Sequence, residues 1–336
     1  MTTASLSSAP ADRRRSRIIV ALVTAVMSGV AITLMLGQSY LSPATILAVF
    51  SGEHIAGASF TLWELRAPRA LVAVLSGACF GLGGAAFQTM LRNPLASPDV
   101  IGISTGASAC AVFAIIGLSL SGALVSLMAI IGGLGVALCI YLLSWRKGIA
   151  DTRLILVGIG LSAMLQSAIA YLLTQAPAWS LQEALRWMAG SLNSVHLAQG
   201  LPLLLALALL GIPLLCLARH LEVMRMGDDV ARGLGIRLSL LRLVVVVAAV
   251  GLVAFATAVT GPIAFVAFLS GPIAARLIQH QGSVLLPAML VGALLVLAAD
   301  FIGQHLLPAR YPVGIVTGVL GAPYLLTFLV RDNRHK

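Results

Sequence analysis

Apolar positions along this chain fall into long unbroken runs, not into the alternation of a half-buried strand. Uncharged stretches cover about 18–37, 70–91, 100–144, 154–175, 197–218, 243–275, 283–299 and 312–330. A helix rising ~1.5 Å per residue needs about 20 such residues to cross a ~30 Å hydrocarbon layer. Two runs are too long for one crossing. The first breaks naturally at Ser119–Gly122, and the second at Thr260-Gly261-Pro262, where proline cannot continue the helical hydrogen-bond ladder. The pattern predicts an all-α polytopic membrane protein with ten transmembrane helices. The first run is not a secretory signal peptide, because it is longer than the 7–15 residues of an h-region.

Composition supports this reading. Of the 336 residues, 60% are apolar and only 10% are charged, too few for a water-soluble surface. Soluble enzymes, disordered chains and fibrous chains are excluded. The net charge of +10 comes from basic residues scattered between apolar runs, with no basic stripe and interleaved aromatics to suit a nucleic acid.

These charges instead set orientation. Across ten spans, seventeen Lys and Arg residues fall on one side and four, Arg66, Arg69, Arg186 and Arg310, on the other. The positive-inside rule makes the first side cytoplasmic and places both termini there. The chain then divides into a cytoplasmic tail (1–17), one membrane domain (18–330) and a second cytoplasmic tail (331–336).

Three connections exceed what a reversal requires. The external stretch Gln38–Arg69 carries Ser42-Pro43, an N-cap and first-turn pair that opens a short interfacial helix. A second external stretch, SLQEALRWMAG from Ser180 to Gly190, has Ser180 and Glu183 at capping-box spacing and a terminating glycine. An anchoring helix without a ligand role would read the same way. The third, cytoplasmic, spans Arg219–Arg242 and mixes Glu222, Asp228 and Asp229 with Arg225, Arg232 and Arg237. Gly227, Gly233 and Gly235 punctuate it, predicting two short helices joined at Gly227. Such a pair suits either a solvated connector or a grip for a partner.

Catalytic and nucleotide motifs are missing. There is no GxxxxGK[ST], HExxH or GxSxG, and Cys79, Cys110, Cys139 and Cys216 sit singly in apolar runs without metal-ligand spacing. The chain reads as neither an enzyme nor a metal binder. Within the predicted spans Asp300 is the single acidic residue, and the sequence offers it no evident partner. An ion-coupled secondary transporter working through Asp300 is the rival of another class. Gln88, Gln166, Gln175 and Thr174 are the more polar span residues, each able to line a pathway or to bond a neighbouring helix. Gly77/Gly81, Gly102/Gly106 and Gly314/Gly318 are small-xxx-small pairs suited to close helix packing.

LRAPR at Leu65–Arg69 and GxxFQTMLRNPLASPDVIGISTGA at Gly84–Ala107 resemble the membrane permease of ABC importers for iron-siderophores, haem and cobalamin. The likeness continues through RWMAGSL (Arg186–Leu192), MGDDVARGLGI (Met226–Ile236), GPIAFVAF (Gly261–Phe268) and PVGIVTGVLGAPYLL (Pro312–Leu325). This resemblance, to the FecCD-type family, implies a type II ABC importer permease fold in the bacterial cytoplasmic (inner) membrane. It implies a second permease copy or paralogue, an extracytoplasmic substrate-binding protein, and separate nucleotide-binding subunits that carry ATP and Mg. This chain is then expected to bind no cofactor itself. Iron(III)-siderophore is the expected cargo, with haem or cobalamin as alternatives.

The resemblance also implies residue roles. ATPase coupling falls to Glu222, Gly227, Asp228, Asp229, Ala231, Arg232, Gly233 and Gly235, binding-protein docking to Arg66, Arg69 and Arg310, and a cytoplasmic gate to Asp151 and Thr152. Gln88, Gln166, Thr174 and Asp300 are pathway candidates. One departure is that Gly271-Pro272-Ile273-Ala274-Ala275-Arg276 lacks the polar residue the family commonly has after this proline, so no role is assigned to Pro272.

Overall fold

The computed structural model describes residues 8–99, 102–144, 151–193, 195–279 and 281–332, and its regular elements there are helices throughout. In chain order these are α1 (Ser8–Met35), α2 (Pro43–Phe50), α3 (Ala58–Leu91), α4 (Ile103–Ile116), α5 (Ala123–Ser144), α6 (Asp151–Gln175) and α7 (Ala178–Met188). There follow α8 (Leu197–Cys216), α9 (Ala218–Arg225), α10 (Asp228–Gly233), α11 (Leu238–Thr260), α12 (Val266–Leu277), α13 (Leu285–Leu306) and α14 (Val313–Asp332).

Seven of these, α1, α3, α5, α6, α8, α11 and α13, are long and apolar enough to cross a membrane. Three shorter apolar helices, α4, α12 and α14, lie where the other predicted spans fall. α12 is short because irregular backbone, Gly261–Phe265, precedes it inside its apolar run, and α4 ends at Ile116, ahead of the expected break at Ser119–Gly122.

The centre of the packing is α3. Its apolar window is 83% buried, against 11% for α1 and for α6. Helices α11, α12 and α13 surround it. Gly77 and Gly81 are why α13 comes so close: a Cβ on Gly77 would sit 2.4 Å from the Gly292 carbonyl oxygen, and one on Gly81 2.2 Å from that of Ala288. Backbone contact between such helices gains dispersion where no hydrophobic driving force against lipid exists. The outer helices leave Leu142, Leu156, Met164 and Leu209 exposed, as a lipid-facing or partner-facing surface requires.

Several local expectations hold and others shift. Ser42 caps α2, its Oγ accepting from the Thr45 amide at 3.1 Å, with Pro43 at the first position. α3 begins about twelve residues ahead of the expected 70, because Pro68 does not start the helix. The turn before it widens to π-helical over Thr61–Arg66, a form that tolerates the missing N–H. Likewise α1 starts at Ser8, inside the expected tail. Ser180 is not the cap of α7: Pro177 holds that position, and the Ser180 hydroxyl donates back to the Pro177 carbonyl at 3.0 Å. Gly190 does end the segment, at φ +64°.

Candidate functional site

Three segments used for the resemblance meet in one backbone knot. The Ser191 amide donates to the Thr260 carbonyl at 2.7 Å, and the Gly314 amide to the Gly190 carbonyl at 3.0 Å. Gly190 and Gly261 both take positive φ here, and a Cβ on Gly261 would lie 2.3 Å from the Trp187 carbonyl oxygen. The knot forms one wall of a cavity of about 500 Å³. Met188, Pro262, Phe265, Phe268 and Ile315 make its apolar side, and Ser97, Asp99 and Ser104 its polar side. Phe265 opens α12 with φ +66°, a costly conformation for a bulky residue, and stands edge-on to Phe268 with centroids 6.4 Å apart.

Asp99 is the residue that sequence reasoning passed over. It lies in the connection between α3 and α4, outside the membrane-spanning helices. The Ser104 hydroxyl donates to its Oδ1, the Asp99 amide donates to Ser97 Oγ at 3.3 Å, and its buried Oδ2 has no hydrogen-bond partner among the described residues. Burial pushes its carboxyl from the ordinary 3.8 up to about 6, which the Ser104 hydrogen bond only partly offsets. An acidic residue straight after Ser-Pro at the edge of an apolar run was the available signal.

A second cavity, of about 480 Å³, lies at the predicted external end and is lined by Glu64, Arg66, Arg69, Asp300, His305 and Arg310 among others. Asp300 has a partner after all, contrary to the sequence expectation. Arg69 grips it bidentately, Nε to Oδ2 at 2.6 Å and Nη2 to Oδ1 at 2.7 Å, and also donates to Asn193 Oδ1 at 3.0 Å. The side chains are 20% and 5% exposed. Arg66 turns inward instead of outward. It donates to the carbonyls of Leu34 (2.8 Å) and Met35 (3.0 Å) and to Ser39, closing the C-terminal end of α1, and is itself buried. Arg310 is exposed.

The third region is the loop predicted to be cytoplasmic, Arg219–Arg242. Helices α9 and α10 meet at Gly227, φ +128°, as the glycine pattern predicts, and Gly235 closes α10 at φ +79°. Asp228 is gripped by Arg92 and, at 2.9 Å, by Arg242, while Arg92 Nε donates to the Met224 carbonyl at 2.9 Å. Asp229 pairs with Arg232 at 3.1 Å, its side chain 99% exposed. Ala231 is buried, and Glu222 Oε1 is buried without a partner among the described residues. Gly233 ends α10.

The remaining candidates are dispersed. Gln88 is buried against α12, its Nε2 donating to the carbonyls of Pro94 (3.0 Å) and Phe268 (2.9 Å). Pro272 lies four residues after Phe268, so its missing N–H would leave that carbonyl unpaired; Gln88 takes the place of the lost bond. Gln166 and Thr174 are exposed on α6, the latter bonding the Tyr171 carbonyl at 2.7 Å. Asp151 and Thr152 open α6, but their side chains lie outside the described residues. No group of three or more metal-ligating side chains occurs among the described residues.

Comparison with known proteins gives a consistent set. The model of the FecCD transport family matches residues 20–331. The ferric enterobactin transport system permease protein FepG of Escherichia coli (strain K12) is 38% identical over 301 residues, 89% of this chain and 91% of that protein. The achromobactin transport system permease protein CbrC of Dickeya dadantii (strain 3937) is 36% identical over 317 residues, 93% and 90% of the two chains. Among solved structures, an inward-facing metal-chelate type ABC transporter aligns with a TM-score of 0.80 at 26% identity, covering 94% of this chain and 99% of its own.

Proposed function

The chain belongs to the FecCD transport family, and from that premise we propose that it is the permease subunit of an ATP-driven importer. Its cargo is an iron(III)-siderophore, moved inward across the bacterial cytoplasmic membrane. The observation that carries this reading is the near full-length likeness to two siderophore permeases, FepG and CbrC. The chain has no nucleotide-binding motif of its own, so ATP and Mg belong to separate ATPase subunits, and the chelate arrives on an extracytoplasmic binding protein. A second permease copy or paralogue completes the pathway.

The geometry supports a division of labour along the chain. The α9–α10 pair presents Asp229, Val230 and Leu234 outward from a base fixed by Arg92, Asp228 and Arg242, which suits a rigid element pressed into an ATPase groove. At the other end Arg310 is the exposed guanidinium best placed to meet an acidic binding protein, because Arg66 is committed inside the chain and Arg69 to Asp300. Asp151 and Thr152, which open α6, are assigned to the cytoplasmic gate by the family resemblance.

The test is uptake in a strain stripped of its own iron routes and supplied with the complete importer. Labelled ferric siderophores should accumulate and labelled haem or cobalamin should not; the reverse would move the cargo to one of those classes. Purification in mild detergent should bring down an ATPase carrying a P-loop. An active chain purified alone would sink the proposal.

A further inference from the structure

A further cavity, of about 450 Å³, opens where the ends of α3, α9 and α12 meet the start of α13. Three of these elements bring a cation to it: Arg92 caps α3, Arg225 ends α9 and Arg276 lies in the last turn of α12. Asn93 lines the same wall, its Oδ1 accepting from the Leu95 amide at 2.9 Å, which leaves its NH₂ as a further donor. No aspartate or glutamate is among the described residues that line the space. The charges are only partly answered elsewhere. Asp228 is one carboxylate shared by Arg92 and, at 2.9 Å, by Arg242. Arg276 is braced by Tyr324, its Nη1 3.2 Å from the phenol oxygen and its guanidinium 5.9 Å from the ring centroid. Arg225 is exposed and makes no hydrogen bond or ion pair among the described residues. A positive-inside bias puts arginines on this side of the chain, but it does not gather three of them, from three elements, round one space. Like charges so placed repel, and a wall of donors without an acidic acceptor is completed by an oxyanion.

Resting on the inner-membrane orientation of the permease reading above, we propose that this cavity binds the phosphate of an anionic phospholipid headgroup from the inner leaflet. The arginines sit at helix ends on the side predicted to face the cytoplasm, the level at which lipid phosphates lie. Guanidinium forks match phosphate oxygens in pairs. Ala275 and Val284, both half-buried, give the lining an apolar part beside the guanidiniums, which suits the glycerol and first methylene groups of a lipid and is of no use to a free phosphate. A phosphate bound here holds α9, the first helix of the pair assigned to ATPase coupling, against α3 and α12.

The test is native mass spectrometry of the complete importer, delipidated in mild detergent and titrated with phosphatidylglycerol, with phosphatidylcholine of the same acyl chains, or with inorganic phosphate. Phosphatidylglycerol should bind about tenfold more tightly than phosphatidylcholine, and millimolar phosphate should not displace it. Arg225→Gln should weaken its Kd by about tenfold, the equivalent of one charge-assisted hydrogen bond. Arg219→Gln, the same change at an exposed arginine that does not line the cavity, should alter it by less than about twofold. Ala275→Leu narrows the cavity without changing its charge and should weaken binding as well. Equal affinity for the two lipids, equal losses in Arg225→Gln and Arg219→Gln, or unchanged binding in Ala275→Leu would overturn the inference. So would displacement by phosphate, which would make this a site for a soluble oxyanion, and binding that appears only after the ATPase subunits are stripped away, which would make it part of their interface. The measurement uses no cargo, so a preparation that takes up no ferric siderophore fails the permease proposal alone and leaves this readout to decide.

Discussion

Arg69 and Asp300 lie 231 positions apart in sequence and join in a two-pronged ion pair, with contacts of 2.6 and 2.7 Å, between the central helix α3 and its neighbour α13. Asp300 is therefore not an unpaired carboxylate, because its charge is balanced by a guanidinium. Arg69 is likewise not a freely presented docking arm. Nη2 divides its hydrogens between Asp300 and Asn193, and the outward part of the group is held in one orientation.

Removing one member of this pair should be worse than removing both. Arg69→Ala leaves a buried carboxylate unpaired and should cost about 3–5 kcal/mol, read as a lower unfolding temperature of the detergent-purified protein. Arg69→Met combined with Asp300→Leu should recover most of that loss. A double variant no more stable than Arg69→Ala would mean that the pair matters for something other than charge balance.

Arg310 offers the cleaner probe of docking. Arg310→Glu should weaken association with the binding protein, with the largest effect at low salt, while ATPase subunits still co-purify. Arg69→Glu would confuse the question by setting a second carboxylate against Asp300. Association of Arg310→Glu that matches wild type at low salt would leave this arginine an interfacial anchor.

Gln88 should behave as a structural residue whatever its nearness to the pathway. Gln88→Leu leaves the Phe268 and Pro94 carbonyls without their donor, so a loss of about 1–3 kcal/mol is expected in thermal unfolding. Replacing Pro272 with alanine restores an N–H four residues after Phe268. The double variant should therefore lose less than Gln88→Leu alone, a non-additivity that a double-mutant cycle measures.

In the 219–242 loop the two adjacent acids should part company. Asp228→Arg sets a third cation beside Arg92 and Arg242 and should loosen the α9–α10 pair, raising protease sensitivity there. Asp229 is almost fully exposed, so Asp229→Arg should leave unfolding unchanged yet lower cargo-stimulated ATPase and uptake together. Normal coupling in Asp229→Arg would return that position to the solvated face of a connector.

Asp99 also gives a pH-dependent stability difference whose sign follows from its raised carboxyl. Below pH 3.8 folded and unfolded chains both hold the proton. Between 3.8 and about 6 the unfolded chain releases it while the folded chain keeps it, so rising pH favours unfolding across that window and has no further effect above it. Relative to Asp99→Asn, the wild type should lose unfolding temperature from pH 4 to 6 and then run parallel. A constant difference across that range would mean that Asp99 is not buried as described.

The sequence by itself determined the membrane class, the order of apolar segments, the expected orientation and the two-helix form of the 219–242 loop. These follow from run length, charge placement and glycine spacing, which are local and need no partner in space. The Ser42 cap was legible for the same reason. The folded chain decided everything that depends on who faces whom. Arg66, Arg69 and Arg310 look equivalent in sequence, yet one closes the end of α1, one neutralises Asp300 and one stays exposed. Gln88 reads as a polar span residue until its amide is found on the carbonyl that Pro272 leaves free. Asp99 reads as part of a connection between spans until the burial of its Oδ2 is seen. In each case the deciding quantity is the desolvation of a polar group by residues far away in sequence, and only tertiary packing sets that.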